Sequence, residues 1–452
     1  KGTISGFNID TRKINAGDVF VAVKADRDGH DFINDAKENG ASASLVEEVQ
    51  LNVELPQMVV KDTITAFHEI AHNHRLKFNG SVIGVTGSCG KTSTKDLLNV
   101  LLGSEQTFST EGNLNNYLGV PLTLLNLDYN RHQFCVVEAG INRIGEMTLL
   151  GKTISPDIAI VTLISPSHLE GLIDLETIAS EKAKLFLYSE SETKVIFPEE
   201  CLKYKEFNNL LNESNNLIVL RNGEPQVELS EYEAFYSIWT ETNKIGSPLS
   251  LRLWRYGLPS VSFSLPSMSD GMVKNTALAV LAALECGVSV QEISERLPQF
   301  RPSALRGKTF QGRGRSYVLD CYNANPASMK DAVDYFRSRF HDFPRLLVLG
   351  GMDELGSCEK EFHKEIGNKI SSLEGDVFLL VGEKASWIAN GLVEEGVEDK
   401  RIIVLSNLCD AIPIVEDFEG CVLFKGSRSY GLEKLLPSWA VPEDGLEAEL
   451  KC

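Results

Sequence analysis

A short run of glycines, hydroxyl-bearing residues and a lysine carries the strongest chemical signal in this chain of 452 residues. It reads Thr86-Gly87-Ser88-Cys89-Gly90-Lys91-Thr92 and stands between an apolar run and a segment with helical periodicity. Glycines let backbone N–H groups wrap a phosphate chain, a lysine reaches the terminal phosphates, and a threonine hydroxyl can bind Mg²⁺. A standard Walker loop would need glycine at Val85. The strand–loop–helix context favours a nucleotide-phosphate site over an ordinary glycine turn.

Two further polar residues follow apolar runs in the same half of the chain. Glu138 comes directly after FCVV, and His168 follows IAIVTLISPS. In a parallel sheet both would reach the carboxyl edge that carries the phosphate loop. A carboxylate and an imidazole there could hold a Mg²⁺, although histidine is an unusual ligand for that ion. Each alone is explained equally well as a strand-end polar residue, and their joint occurrence favours the metal site.

Four other groups stay open on pattern alone. Glu111–Asn116 places carboxamides beside a glycine turn, where they could contact a phosphate or simply form the turn. Asp320, after the run SYVL, could bind a ribose or cap a helix. Lys425–Arg428 could bind a carboxylate or balance an acidic protein. Lys184, in ETIASEKAKLFLY, is interpreted as a surface lysine.

The elements that must position these residues alternate between strands and helices. Apolar β-branched runs separated by helical segments predict a parallel sheet covered on both faces. Between residues 195 and 267, alternating and turn-rich strands predict a smaller sheet, and strand–helix alternation returns from about 304. The sequence therefore predicts an α/β protein with three domains, over 1–78, 79–303 and 304–452. The expected types are a small α/β domain, a P-loop-type parallel-sheet ATPase domain and a Rossmann-like domain.

Composition and charge exclude several classes of function. With 43% hydrophobic and 24% charged residues, the chain has the proportions of a soluble globular protein. A net charge of −19 argues against a nucleic acid or an anionic membrane as partner. Nine scattered cysteines without a CxxC pair indicate reduced thiols, and no apolar run is long enough to span a membrane. We therefore expect a cytoplasmic protein.

Together these segments resemble the Mur ligases, the ATP-dependent amide-forming enzymes of peptidoglycan precursor synthesis. The resemblance covers nearly the whole chain and is carried by IDTRKINAGDVFVAV, DGHDF, TGSCGKTSTK, GNLNNYLGVPLTLL, VVEAG, SHLEG, KAKLF, DCYNANPASM, LGGMDELG and KGSRS. GNLNN, YNANPxSM and KGSR are typical of the branch that adds a D-alanyl-D-alanine dipeptide. The resemblance implies ATP-dependent addition of that dipeptide to UDP-N-acetylmuramoyl-tripeptide through an acyl phosphate, by a monomer with two Mg²⁺ sites.

The resemblance also implies roles for individual residues. The implied ATP contacts are Thr86, Gly87, Ser88, Cys89, Gly90, Lys91, Thr92, Asn275, Arg306 and Asp320. The implied metal ligands are Thr92, Glu138, His168 and Lys184, the last as a carbamate, and the implied catalytic residues are Lys91, Glu138, His168 and Lys184. The implied UDP-sugar contacts in the first domain are Thr11, Arg12, Asp28, Gly29, His30 and Asp31. The other implied substrate contacts are Asn113, Asn115, Asn116, Asn323, Asn325, Lys425, Ser427 and Arg428.

The chain departs from the family pattern at two places. Asp270–Lys274 replaces the His-Asn pair that usually precedes the adenine-contacting asparagine, here Asn275, and Gly351 replaces an aspartate. The alternatives are a superfamily ligase that adds a single amino acid or extends folate with glutamate, and a catalytically impaired nucleotide-binding partner. We also expect the third domain to swing over the central one during the reaction.

Overall fold

Three β-sheets organise the chain in the computed structural model, which describes residues 4–25, 27–188, 192–213, 216–224, 234–241, 248–371 and 375–445. The first sheet has four parallel strands in the order β1-β2-β3-β4. These strands are β1 (Gly6–Asn8), β2 (Asp18–Val21), β3 (Ala43–Val46) and β4 (Gln57–Val59). The accompanying helices are α1 (Ile33–Glu38) and α2 (Thr63–Arg75).

Helix α2 fixes the first sheet against the central domain. Asp62 caps its N-terminus: the Asp62 side chain accepts a hydrogen bond from the Thr65 N–H and so satisfies one unpaired donor of the first turn. At its other end, the Arg75 guanidinium donates to the carbonyls of Ile154 and Ser155 at 3.1 and 3.0 Å. These buried bonds join the two domains through backbone groups, so the first sheet is held at a defined position.

The central sheet contains nine strands in the order β13-β12-β11-β10-β9-β8-β5-β7-β6. Its strands are β5 (Ser81–Thr86), β6 (Thr107–Ser109), β7 (Phe134–Glu138), β8 (Ile158–Val161), β9 (Lys194–Pro198), β10 (Leu217–Asn222), β11 (Phe235–Glu241), β12 (Leu249–Arg255) and β13 (Val261–Leu265). Its helices are α3 (Lys91–Leu102), α4 (Gly119–Leu125), α5 (Glu146–Ile154), α6 (Leu169–Leu172), α7 (Leu175–Leu187), α8 (Lys205–Asn208), α9 (Leu210–Glu213), α10 (Asp270–Glu285) and α11 (Val290–Arg296). Strands β5–β11 are parallel, and β12 and β13 are antiparallel.

The prediction of a separate, smaller sheet between residues 195 and 267 is wrong. Strand β9 pairs in parallel with β8 on one side and with β10 on the other, so β9–β13 extend the central sheet. Alternating patterns are typical of strands with one solvated face, and they occur at the edge of a large sheet as well as in a small one. The strands themselves were therefore predictable, but their assignment to a sheet was not.

Both faces of the central sheet are buried, as the apolar strands predict. Along β5, Val82 packs into the core cluster on one face, whereas Ile83 and Val85 pack into the cluster on the other. Helix α10 covers the second face with a long apolar surface that includes Ala277–Ala283. The α/β class predicted from the sequence is confirmed, and the carboxyl ends of the parallel strands form one edge of this sheet.

The C-terminal sheet has seven strands in the order β18-β17-β16-β19-β15-β14-β20. These are β14 (Lys308–Gly312), β15 (Arg315–Asp320), β16 (Arg345–Leu349), β17 (Asp376–Val381), β18 (Ile402–Leu405), β19 (Cys421–Lys425) and β20 (Val441–Pro442). The helices are α12 (Pro326–Arg339), α13 (Glu359–Ile370), α14 (Glu383–Glu394) and α15 (Ala411–Asp417). Strands β15–β19 are parallel, whereas β14 and β20 are antiparallel.

The buried carboxylate of Asp376 links several elements of this sheet. Its side chain is fully buried at the start of β17. It accepts hydrogen bonds from Arg337 Nε at 2.7 Å and from Arg345 Nε at 2.5 Å. One carboxylate thus joins α12, β16 and β17.

Among all the helices that the structure describes, none is long and apolar enough to cross a membrane.

Candidate functional site

The phosphate loop joins β5 to α3 and has a backbone that only glycine suits. Gly87 and Gly90 have φ of +149° and +81°. A Cβ at Gly87 would lie 1.9 Å from Thr162 Oγ1, and one at Gly90 would lie 2.5 Å from Asn275 Oδ1. The loop therefore needs both glycines, because positive φ and close approach each exclude a side chain. Thr86 donates from Oγ1 to the Ala139 carbonyl at 2.8 Å and ties the strand end to β7.

Two lysines point their ammonium groups at the same carbonyl of this loop. Lys91 Nζ donates to the Gly87 oxygen at 2.8 Å, and Lys182 Nζ donates to it at 3.1 Å. Burial lowers the pKa of Lys91, an effect that nearby Glu138 opposes. Burial and the positive charge of Lys91 hold the pKa of Lys182 well below its usual range. An ammonium group on Lys91 at this loop is the kind of charge that attracts phosphate oxygens.

Glu138 ends β7 with one carboxylate oxygen left for a further partner. Its Oε1 accepts from Asn115 Nδ2 at 2.7 Å, and its backbone N–H donates to Thr110 Oγ1. Its Oε2 is buried and has no hydrogen-bond partner among the described residues. A buried, unpartnered carboxylate oxygen fits a bound cation, since such atoms are otherwise almost always satisfied.

His168 lies at the start of α6 and contacts the C-terminal domain. Its Nδ1 contacts Glu354 Oε2, and the imidazole lowers the pKa of that carboxyl. In the described part of the chain, no three side chains among His, Cys, Asp and Glu are grouped closely enough to hold a metal alone. The protein groups present would therefore need oxygens from a bound substrate to complete an Mg²⁺ shell.

A cavity of about 1270 Å³ between the central and C-terminal domains gathers most of the predicted residues. The predicted residues that line it are Ser88, Cys89, Gly90, Lys91, Thr92, Asn113, Asn115, Asn116, Glu138, His168, Asn275, Arg306, Asp320, Asn323, Asn325 and Lys425. Arg306 crosses the interface, donating from Nη2 to Thr92 Oγ1 at 3.0 Å and stacking over the Tyr322 ring. The nucleotide loop and the C-terminal residues thus face one common space.

The C-terminal residues at this cavity are tied to one another. Buried Lys425 pairs with Asp320 Oδ2 at 3.1 Å and donates to the Asn323 carbonyl at 2.8 Å. Asn325 caps α12 through the Ser328 N–H and reaches the Ser88 carbonyl with its amide nitrogen at 3.4 Å. The helix-capping alternative is therefore realised by Asn325, while Asp320 holds a buried lysine.

Lys184 does not lie with the predicted metal ligands. Its ammonium pairs with the nearly buried Glu181, and it does not line the cavity. Sequence reasoning missed Lys182, although its spacing gave a signal. Lys182 stands four residues after Ile178 and four before Phe186, on the buried stripe of α7, where an unpaired lysine would be exceptional.

Ser427, Arg428 and the predicted first-domain residues also lie outside the cavity lining. Ser427 Oγ accepts from the Asp353 N–H at 2.9 Å, and Arg428 pairs with Glu433. In the first domain, exposed Arg12 pairs with Asp10 and follows Thr11 in one short turn. The turn Asp28–Asp31 is held by buried His30, which contacts Asp28 and accepts from the Glu47 N–H.

The departure before Asn275 creates a contact that sequence reasoning did not anticipate. The Gly271 N–H donates to Asp331 Oδ1 at 2.9 Å across the domain interface. Burial raises the pKa of Asp331. A Cβ at Gly271 would lie 2.6 Å from Asp331 Oδ2, so a carboxylate occupies the space beside α10 that a side chain at 271 would need.

Comparison with known proteins places every part of this site within one family. Residues 3–75, 85–283 and 306–428 match the family models described as "Mur ligase family, catalytic domain", "Mur ligase middle domain" and "Mur ligase, glutamate ligase domain". Relatives named UDP-N-acetylmuramoyl-tripeptide--D-alanyl-D-alanine ligase include the protein of Bacillus subtilis, 30% identical over 96% of this chain and 92% of the relative. The Escherichia coli relative of the same name is 31% identical, over 98% and 95%.

Solved structures agree with these sequence relatives. A crystal structure of MurF from Acinetobacter baumannii superposes with a TM-score of 0.82 at 27% identity, over 96% of this chain and 92% of that one. MurF from Thermotoga maritima in complex with ADP gives 0.79 at 26% identity, over 96% of both chains. The likeness therefore extends over all three sheets.

Proposed function

The chain belongs to the Mur ligase family, and from that premise we propose that it joins D-alanyl-D-alanine to UDP-N-acetylmuramoyl-tripeptide at the expense of ATP. The observation that carries this proposal is the full-length relationship to ligases of that name. The cavity supports it, because the phosphate loop and the residues of the C-terminal domain face one space. The domain roles proposed are UDP-sugar binding for 1–78, ATP binding for 79–303 and dipeptide binding for 304–452.

The chemistry is amide formation through an activated carboxylate. A carboxylate oxygen of the tripeptide forms a bond to the γ-phosphorus of ATP, and ADP leaves. The dipeptide amine then attacks the carbonyl carbon, loses a proton and displaces phosphate. The first step brings a carboxylate against a polyphosphate, so repulsion must be offset by Lys91, Arg306 and the N-terminus of α3. The contact from Arg306 to Thr92 puts a cation of the C-terminal domain at the loop.

The cofactor proposal is Mg²⁺ at residues whose chemistry suits it. Thr92 and Glu138 supply oxygen atoms as ligands, one oxygen of Glu138 has no partner in the part of the chain that the structure describes, and His168 lines the same cavity. When bound, Mg²⁺ neutralises phosphate charge and orients the transferring group. The protein itself holds Glu138 in place through Asn115 and Thr110, so that its free oxygen is presented without reorganisation.

We assign the carbamate role to Lys182 in place of Lys184. Only an uncharged amine can add CO₂, and burial depresses the pKa of Lys182. Lys182 also reaches the phosphate loop, whereas Lys184 is paired with Glu181. A carbamate on Lys182 would place a negative charge near Lys91, and the two charges would attract each other.

Phosphate release from ATP tests the proposed function directly. The complete mixture contains the UDP-linked tripeptide, D-alanyl-D-alanine, ATP and Mg²⁺, and each component is omitted in turn while mass spectrometry detects the pentapeptide. Product and phosphate only in the complete mixture are expected. Product with a single amino acid, or with folate and glutamate, would favour another ligase of the superfamily. ATP binding without turnover on any substrate would favour an impaired nucleotide-binding protein.

A further inference from the structure

Two residues that contact each other across a domain interface both have positive φ, a backbone conformation that residues other than glycine rarely adopt. His168, before α6, has φ of +53°, and Glu354, after β16, has φ of +63°. Such conformations persist only where surrounding contacts hold them, and they occur preferentially at functional sites. Because these two residues contact each other directly across the domain interface, we asked what the contact does to the His168 side chain.

The contact between these residues involves both side chain and backbone. Glu354 Oε2 contacts His168 Nδ1, and the Leu169 N–H donates to the Glu354 carbonyl at 2.8 Å. The turn then continues to Gly356, with φ of +64°, where a Cβ would lie 3.4 Å from the Leu169 backbone. The imidazole is thus met by a turn whose backbone is itself docked on the start of α6.

The turn is firmly held within the C-terminal domain. The Asp353 N–H donates to Ser427 Oγ at 2.9 Å, and the Ser427 N–H donates to the Gly351 carbonyl at 2.9 Å. Lys384 Nζ approaches Asp353 Oδ1 at 3.3 Å. Glu354 is therefore presented from a scaffold that includes the loop Lys425–Arg428, for which we propose dipeptide contacts.

A carboxylate on one nitrogen of an imidazole determines what the other nitrogen can do. When Nδ1–H donates to Glu354, the proton is kept off Nε2, whose lone pair is then available to a metal ion. Histidines that bind metals are generally oriented by such a partner, and loss of the partner weakens metal binding by about 10–100-fold.

We propose that Glu354 is a positioning residue that holds His168 in the tautomer and orientation that bind Mg²⁺, and that it does so only when the C-terminal domain is docked. This inference rests on the proposed function, which assigns metal binding to His168. It adds that the metal site is completed from outside the central domain. Docking of the third domain and binding of the metal are consequently coupled events, and each should strengthen the other.

Mn²⁺ binding tests the inference without relying on turnover. Mn²⁺ is titrated into the whole protein with a non-hydrolysable ATP analogue, and free Mn²⁺ is measured by electron paramagnetic resonance. Glu354→Ala should weaken binding by about 10–100-fold. Glu354→Gln should restore most of it, because an amide oxygen at this contact can also accept a hydrogen bond from Nδ1. Glu361→Ala, which removes an exposed carboxylate on α13 of the same domain, is the matched control and should bind as wild type does.

Steady-state kinetics provide the second readout. Glu354→Ala should raise the Mg²⁺ concentration for half-maximal rate far more than it lowers kcat at saturating Mg²⁺. Unchanged Mn²⁺ affinity in Glu354→Ala, or an equal loss in Glu354→Gln, would overturn the positioning role. A wild-type protein that makes no product would overturn the proposed function instead, while the Mn²⁺ titration still decides the role of Glu354.

Discussion

Lys182 and Lys184 are two residues apart on α7, yet only Lys182 is buried against the phosphate loop. Lys182→Met, which keeps the side-chain bulk, should lower the ligase rate by about 10–100-fold, as expected for loss of a group that orients a metal site. Added short carboxylic acids should restore part of the rate by supplying the missing negative charge. Lys184→Ala is the matched control and should keep most of the activity. The rate of pentapeptide formation, with and without acetate, distinguishes the two.

Equal losses in the two variants would contradict the assignment of the carbamate to Lys182. Thermal unfolding of both proteins shows whether either change acts through stability, since Lys184 also loses its ion pair with Glu181. A normal rate for Lys182→Met without additives would remove the carbamate role altogether.

Replacement of Lys91 should have a larger effect on the ligase rate than replacement of Lys182. Lys91→Ala removes the ammonium group at the first turn of α3 but leaves the glycines and backbone donors of the loop. Product formation should fall below detection, because phosphoryl transfer depends on charge stabilisation at the transferring group. Circular dichroism should remain that of the wild type. A variant with wild-type turnover would contradict the phosphate-loop assignment.

At the scale of elements, the C-terminal sheet depends on Asp376. Its carboxylate is fully buried and accepts from two arginines, Arg337 and Arg345, on neighbouring elements. Asp376→Ala leaves both guanidinium groups buried without their anion, so the free energy of unfolding should fall by about 3–5 kcal/mol. Urea denaturation monitored by circular dichroism measures the loss. Lys400→Ala, at an exposed ion pair with Glu398 in the same domain, should change the free energy of unfolding far less, because solvent screens an exposed pair.

The same denaturation curves can also contradict the structural role of Asp376. A shift for Asp376→Ala no larger than that for Lys400→Ala would show that the arginines find other partners or water. Because the chain has several domains, the comparison is made on the transition that reports the C-terminal domain.

At the scale of the whole molecule, the cavity exists only because two domains are docked. Polar contacts between them include Arg306 with Thr92, Asp331 with Gly271, and Glu354 with His168. We expect a more open ensemble without ligands, and a smaller radius of gyration with an ATP analogue and the UDP-linked tripeptide. Small-angle X-ray scattering checks this. Arg306→Ala should reduce the ligand-induced compaction, and no compaction in the wild type would contradict domain closure.

The parts of the site that sequence predicted are those with a local signature. The loop Thr86–Thr92 begins at the last residue of β5 and Glu138 is the last residue of β7, so their positions at one sheet edge follow from topology. Lys182 had a signal in its spacing along α7, but the same segment contains a second lysine. Contacts such as Gly271 with Asp331, which are 60 residues apart, depend on how domains dock and have no local pattern. The continuity of β9–β13 with the central sheet was hidden because alternating strands occur at the edge of a large sheet as well as in a small one.

The contact between Gly271 and Asp331 constrains the order in which this protein can change by mutation. A side chain introduced at 271 would meet the Asp331 carboxylate at 2.6 Å and displace the acceptor of the backbone N–H. Shortening Asp331 first would open that space. Substitutions at 271 and 331 should therefore be coupled: a side chain at 271 requires the Asp331 carboxylate to move away, and a shorter residue at 331 removes that requirement.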